Sequence, residues 1–98
     1  MMDRHRPAAV AGSWYPGDPV RLATAVDSHV SAAGVEPLPQ PPCALIAPHA
    51  GLMYSGPVAA FAYKAARIGT YRTIVLVGPS HFVPFRGVAL WGEGDWET

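Results

Sequence analysis

Two stretches of this chain share one plan: "LIAPHAG", carrying His49, and "VLVGPSH", carrying His81. Each is an apolar run that meets a small residue, then a proline, then a histidine. A proline has no N–H to give to a sheet, so it ends a hydrogen-bonded ladder and stiffens the loop beyond it. The pattern therefore predicts two strands that each stop at a rigid loop and present an imidazole there.

The residues around these stretches set the expected fold. "CALIA" (43–47) and "TIVLVG" (73–78) are continuous apolar runs too short for helices, as expected of strands buried on both faces. Between them, a helix is predicted from about Gly56 to Arg67, with Val58, Phe61, Ala62, Ala65 and Ile68 at helical spacing and Gly69 as its stop. Strand, helix, strand with tight links is a βαβ unit, whose strands run parallel with a right-handed crossover. "GVALW" (87–91) reads as a third strand, and "GEGDWET" after it as a solvated polar tail.

Upstream, "GSWYPGDP" crowds glycines, prolines and aromatics into a turn. Asp18 is placed to cap a helix with Pro19 at its first position. Leu22, Val26, Val30 and Ala33 mark one face of that helix, and Gly34 its end. "PLPQPP" then forms a stiff extended connector. The expected architecture is an α/β fold, a βαβ unit of a mainly parallel sheet flanked by helices.

In open parallel sheets, ligands bind beyond the carboxyl ends of the strands. His49 and His81 fall two or three residues past those ends. On neighbouring strands they would share one rim, separated by roughly the 4.8 Å strand spacing plus loop offsets. Paired neutral imidazoles suit iron, copper or zinc, although a firm site needs a third ligand. The alternative is that each histidine only ties its own loop to nearby backbone groups. Trp14, Tyr15 and Tyr54 flank the rim and either line a ligand pocket or pack against it.

Other groups are assigned structural roles. His5 falls in a terminal segment and His29 on the first helix. Cys43 lies at the wrong end of its strand to be a ligand and reads as a small hydrophobe. Ser80 beside His81 lacks the G-x-S-x-G elbow of a serine hydrolase. "GEGDW" has no lysine or helix to make a phosphate loop.

Composition narrows the classes. The chain has 98 residues, with 7 basic against 7 acidic side chains, so no electrostatic attraction to nucleic acid or to an anionic membrane is expected. One cysteine rules out an internal disulfide. No apolar stretch approaches the length of a secretory signal or a membrane span. These features point to a soluble cytoplasmic protein.

Four ordered motifs, "RPAAVAGSWYPGD", "APHAGLMYSGPVAAFAYKA", "LVGPSHFVPFRGVAL" and "WET", together resemble the Memo family, from about Arg6 to Thr98. Its bacterial and archaeal members are known as AmmeMemoRadiSam system protein B. Members look like class III extradiol dioxygenases of the LigB type. The resemblance implies that this chain is a single partial domain, the incomplete N-terminal third of a LigB-like α/β domain. It implies a pocket with two histidines, matching His49 and His81, and a cysteine from a later part that Cys43 does not match. In the dioxygenases a glutamate takes that third place around non-haem ferrous iron.

The resemblance carries further expectations. The metal would be iron or copper, zinc less so, with the third ligand absent from these residues. Trp14 and Tyr54 match aromatic positions near the pocket, and Ser80 joins them as a ligand-binding candidate. A phosphopeptide or a small molecule is an expected ligand, since animal members are associated with phosphotyrosine recognition in receptor signalling. A radical SAM protein and an AMMECR1-like protein are expected functional associates. The leading reading is a Memo-like protein whose two-histidine pocket binds a metal ion or small anion, the fragment alone being inactive. Its alternatives are a non-haem iron extradiol-type dioxygenase and a non-enzymatic phosphopeptide-binding module.

Overall fold

The computed structural model describes residues 4–98. The elements are β1 (His5–Arg6), α1 (Pro19–Ala32), α2 (Leu52–Ala66) and β2 (Asp95–Trp96). Together they make a small α/β arrangement of two packed helices and one two-stranded parallel sheet.

Helix α1 follows its capping residues. The Asp18 carboxylate accepts the Arg21 backbone N–H at 2.9 Å, and Pro19 sits where its missing N–H costs no hydrogen bond. The helix closes with the Ala33 N–H donating to the His29 carbonyl, just before Gly34. Its inward face narrows toward that end: Val30 and Ala33 are buried, Leu22 is half-buried and Val26 remains exposed.

Helix α2 begins four residues before the expected Gly56 and contains Pro57. Local propensity places a proline near a helix start, but the added turn has outside support. The Leu52 N–H donates to the Trp14 carbonyl at 2.8 Å, and the Ser55 hydroxyl donates to the Ala50 carbonyl at 3.0 Å. The Val10–Tyr15 turn holds Trp14 in place: Gly12 adopts φ +83°, and its N–H donates to the Tyr15 carbonyl.

The face that α2 turns to α1 also differs from expectation. Its buried positions are Ser55, Gly56 and Ala60, whereas Val58, Phe61 and Ile68 stay exposed. Small residues let the helices approach closely. A Cβ on Gly56 would lie 2.9 Å from His29 Cδ2. Across the same seam the Lys64 ammonium donates to the Ala33 carbonyl at 2.6 Å, satisfying an acceptor at the end of α1.

The expected βαβ unit is not formed. Residues 43–47, 73–78 and 87–91 take no strand, and no described backbone hydrogen bond links them. Parallel strands depend on cover over both faces, and here the two helices spend their buried surface on each other. The runs lie open: Ile46 is 100% exposed, Val77 92% and Val88 93%. The sheet that does form joins the chain's distant ends, with His5 opposite Asp95 and Arg6 opposite Trp96. "GEGDWET" is therefore partly a strand. Its Glu93 pairs with Arg4 at 2.7 Å, its Asp95 meets His5 at 3.3 Å, and Arg6 lies over the Trp96 ring.

Among the described residues, the buried core comprises Val30, Ala33 and Ala60, with Val35 against it. The accessible surface is 8663 Å² for 10.4 kDa, against about 5,400 Å² for a closed monomer of that mass. The radius of gyration, 15.3 Å, likewise exceeds the roughly 12.6 Å of a compact chain this long. Among the described residues, no helix is long and apolar enough to cross a membrane.

Candidate two-histidine site

The two histidine loops converge although their apolar runs do not pair. Nε2 of His49 lies 3.3 Å from Nε2 of His81. The ring centroids are 5.4 Å apart, with planes tilted by 48°. Both side chains are exposed. At this separation one ring's Nε2–H can donate to the other ring's lone pair, or both lone pairs can turn to one cation.

The chain after His49 is tightly held. Ala50 accepts the Ser55 hydroxyl, and Gly51 begins α2. A Cβ on Gly51 would meet the Tyr54 ring at 3.4 Å and the Trp14 carbonyl at 3.5 Å, so the backbone here passes close to the Tyr54 ring and to the Trp14 main chain. On the other side, the Ser80 hydroxyl donates to the Val83 carbonyl at 2.6 Å and so stabilises its own loop. The Phe82 ring stands edge-on to the His81 imidazole, with centroids 6.4 Å apart.

Of the candidate residues, His49 and His81 are brought together directly. The Tyr54 ring and the main chain of Trp14 meet the same loop at Gly51, two residues beyond His49. Ser80 is committed to Val83. Phe82 is the site neighbour that sequence reasoning passed over; its only signal was its place after His81 in "PSHF". The Tyr15 carbonyl accepts the Gly12 N–H, which places Tyr15 in the turn that carries Trp14. Cys43 is exposed, and among the described residues no group of three or more His, Cys, Asp or Glu side chains could hold a metal ion. An open depression of about 600 Å³ lies elsewhere, along α1 at Thr24, Asp27, Ser28 and Ser31.

A small α/β chain that presents paired imidazoles on adjoining loops is the class that fold and site define. The Memo-like protein family matches residues 6–98, and the chain belongs to that family. It is 41% identical to a MEMO1 family protein of Sulfolobus acidocaldarius, over 92% of this chain and 36% of the relative. A MEMO1 family protein of Methanopyrus kandleri is 42% identical over 95% of this chain and 36% of its own length. One from Thermotoga maritima is 38% identical over 95% and 37%. The chain thus spans little more than one third of the curated relatives it matches. No solved structure matches it.

Proposed function

We propose that His49 and His81 form the two-histidine pocket of a Memo-like protein and bind one metal ion, iron or copper, through their Nε2 atoms. The observation that carries this reading is the 3.3 Å between those nitrogens. Bonds of about 2.1 Å to one atom, at roughly 90–110°, put two donors about 3.0–3.4 Å apart. The existing geometry thus fits a shared ion with little rearrangement. Neutral imidazole is a suitable ligand for either metal.

In this reading the chain's residues act by holding and orienting. The Ser55–Ala50 hydrogen bond and the close passage at Gly51 fix the His49 loop, while Ser80–Val83 and Phe82 support His81. A bound metal would supply Lewis-acid or redox chemistry at its open positions. Two imidazoles leave room for a third donor from outside these residues, so the chain alone is proposed to bind metal without turnover. The full-length protein would then have a LigB-like core.

Calorimetric titration of the 98-residue chain with Cu²⁺, and anaerobically with Fe²⁺, tests the reading. The expected result is one site per chain, weakened at least about tenfold by either His49→Ala or His81→Ala. Unchanged affinity in both variants would exclude the pocket.

A further inference from the structure

The geometry points to the Trp14 main-chain carbonyl as the group that positions His49 against His81, acting through the hydrogen bond it accepts from the Leu52 N–H. The placement of the ring is independent of what the pair binds, whereas its effect on ion affinity rests on the metal reading above.

The first turn of α2 needs such an anchor. Its N-cap is Gly51, which has no side chain to accept a hydrogen bond from the first N–H groups. Pro57 gives no N–H to the Met53 carbonyl, and its ring disfavours the helical state of Gly56, itself a poor helix former. Left to local propensity, residues 52–55 would fray, and His49 lies just ahead of them. Two contacts supply what the sequence lacks. The Ser55 hydroxyl donates to the Ala50 carbonyl at 3.0 Å, within the segment, and the Trp14 carbonyl accepts the Leu52 N–H at 2.8 Å, from outside it. The first fixes the local shape of the segment; the second fixes where it stands.

The Trp14 carbonyl is itself firmly held. The Ser13 and Trp14 N–H groups both donate to the Val10 carbonyl, at 3.2 and 2.9 Å, and the Ser13 hydroxyl donates to it at 3.0 Å. The Gly12 N–H donates to the Tyr15 carbonyl at 2.7 Å from a backbone at φ +83°, which glycine adopts without strain. Gly17 lies against this turn: a Cβ there would be 3.4 Å from the Gly12 nitrogen. Residues 10–17 thus form a preorganised block, and the carbonyl it presents completes the start of α2.

This one bond can be removed cleanly. Proline lacks the N–H and is accepted at the first helical position. Gly51, at φ −50° and ψ 146°, already has the extended backbone that a following proline demands. Leu52→Ala is the reference for Leu52→Pro, because it too loses the leucine side chain but keeps the donor.

Nuclear magnetic resonance of the metal-free 98-residue chain tests the placement. Cross-relaxation between the ring protons of His49 and His81 should be present in the parent and in Leu52→Ala. It should vanish in Leu52→Pro while helix content by circular dichroism matches that of Leu52→Ala. Gly12→Val is a second route that leaves α2 untouched. Its Cβ would meet nothing within 4 Å, so it acts by straining the turn, and it should also abolish the ring contact. Copper titration should find Leu52→Pro binding at least about tenfold more weakly than Leu52→Ala. A ring contact that survives in Leu52→Pro or Gly12→Val, or that is already lost in Leu52→Ala, overturns the positioning role. So does equal copper affinity in the two Leu52 variants. A parent that keeps the ring contact and loses it in Leu52→Pro, yet binds no copper, would sink the metal reading and leave the positioning role standing.

Discussion

At the scale of single residues, the α1–α2 seam depends on Gly56. Its missing Cβ leaves room for the His29 ring, which would otherwise lie 2.9 Å from the new carbon at Cδ2 and 3.1 Å at Nε2. Gly56→Ala is expected to destabilise the wild-type chain by about 1–2 kcal/mol, overpacking outweighing the gain in helix propensity. In a His29→Ala background the penalty should shrink, because only the Leu52 Cδ1, 3.0 Å from the new carbon, would then have to give way. Denaturant titration of the four proteins measures the coupling, and equal effects in both backgrounds would contradict this packing. Capping by Asp18 is legible in the sequence because it involves residues three apart. The Gly56–His29 approach is not, because it depends on where a second helix crosses.

At the scale of elements, the local and the distant behave differently. Helix α1 is legible from its cap and its spacing, whereas for α2 the sequence shows that a helix is present but not which face it buries. The added turn of α2 is not legible either, because the Trp14 carbonyl that anchors it comes from a separate turn. The β1–β2 ladder joins two polar dipeptides from opposite ends of the chain, and neither "HR" nor "DW" has a strand's apolar pattern. That ladder requires Gly94, which adopts φ +76° and passes so close to the Arg4 carbonyl that no Cβ can be accommodated. Gly94→Ala should open the sheet. The Asp95 and Glu97 amides, which donate to Arg4 and Arg6, would then lose whatever exchange protection the parent gives them. Retained protection would show that the ladder tolerates the side chain. The three apolar runs have the composition of buried strands yet remain unpaired, because composition specifies a need for cover and cannot supply it.

At the scale of the whole molecule, the buried core of Val30, Ala33 and Ala60 is small for 98 residues. Folding stability is a small difference between large terms, and little apolar burial leaves the difference slight. The chain alone is therefore expected to melt over a broad range and to bind a dye such as ANS through its open runs. A sharp two-state transition of the monomer, without dye binding, would contradict that expectation. Such weakness does not prevent the histidine loops from meeting, since each is fixed by contacts a few residues away. The meeting of the two imidazoles is the more legible feature: a repeated proline-then-histidine ending anticipates it, even though the strands expected to deliver them are not paired.

Electron paramagnetic resonance of the chain with one equivalent of Cu²⁺ tests the shared-ion claim most directly. Nitrogen superhyperfine structure from two imidazoles is expected, reduced to one by His49→Ala and likewise by His81→Ala. A spectrum unchanged by either substitution would place the copper elsewhere and contradict it.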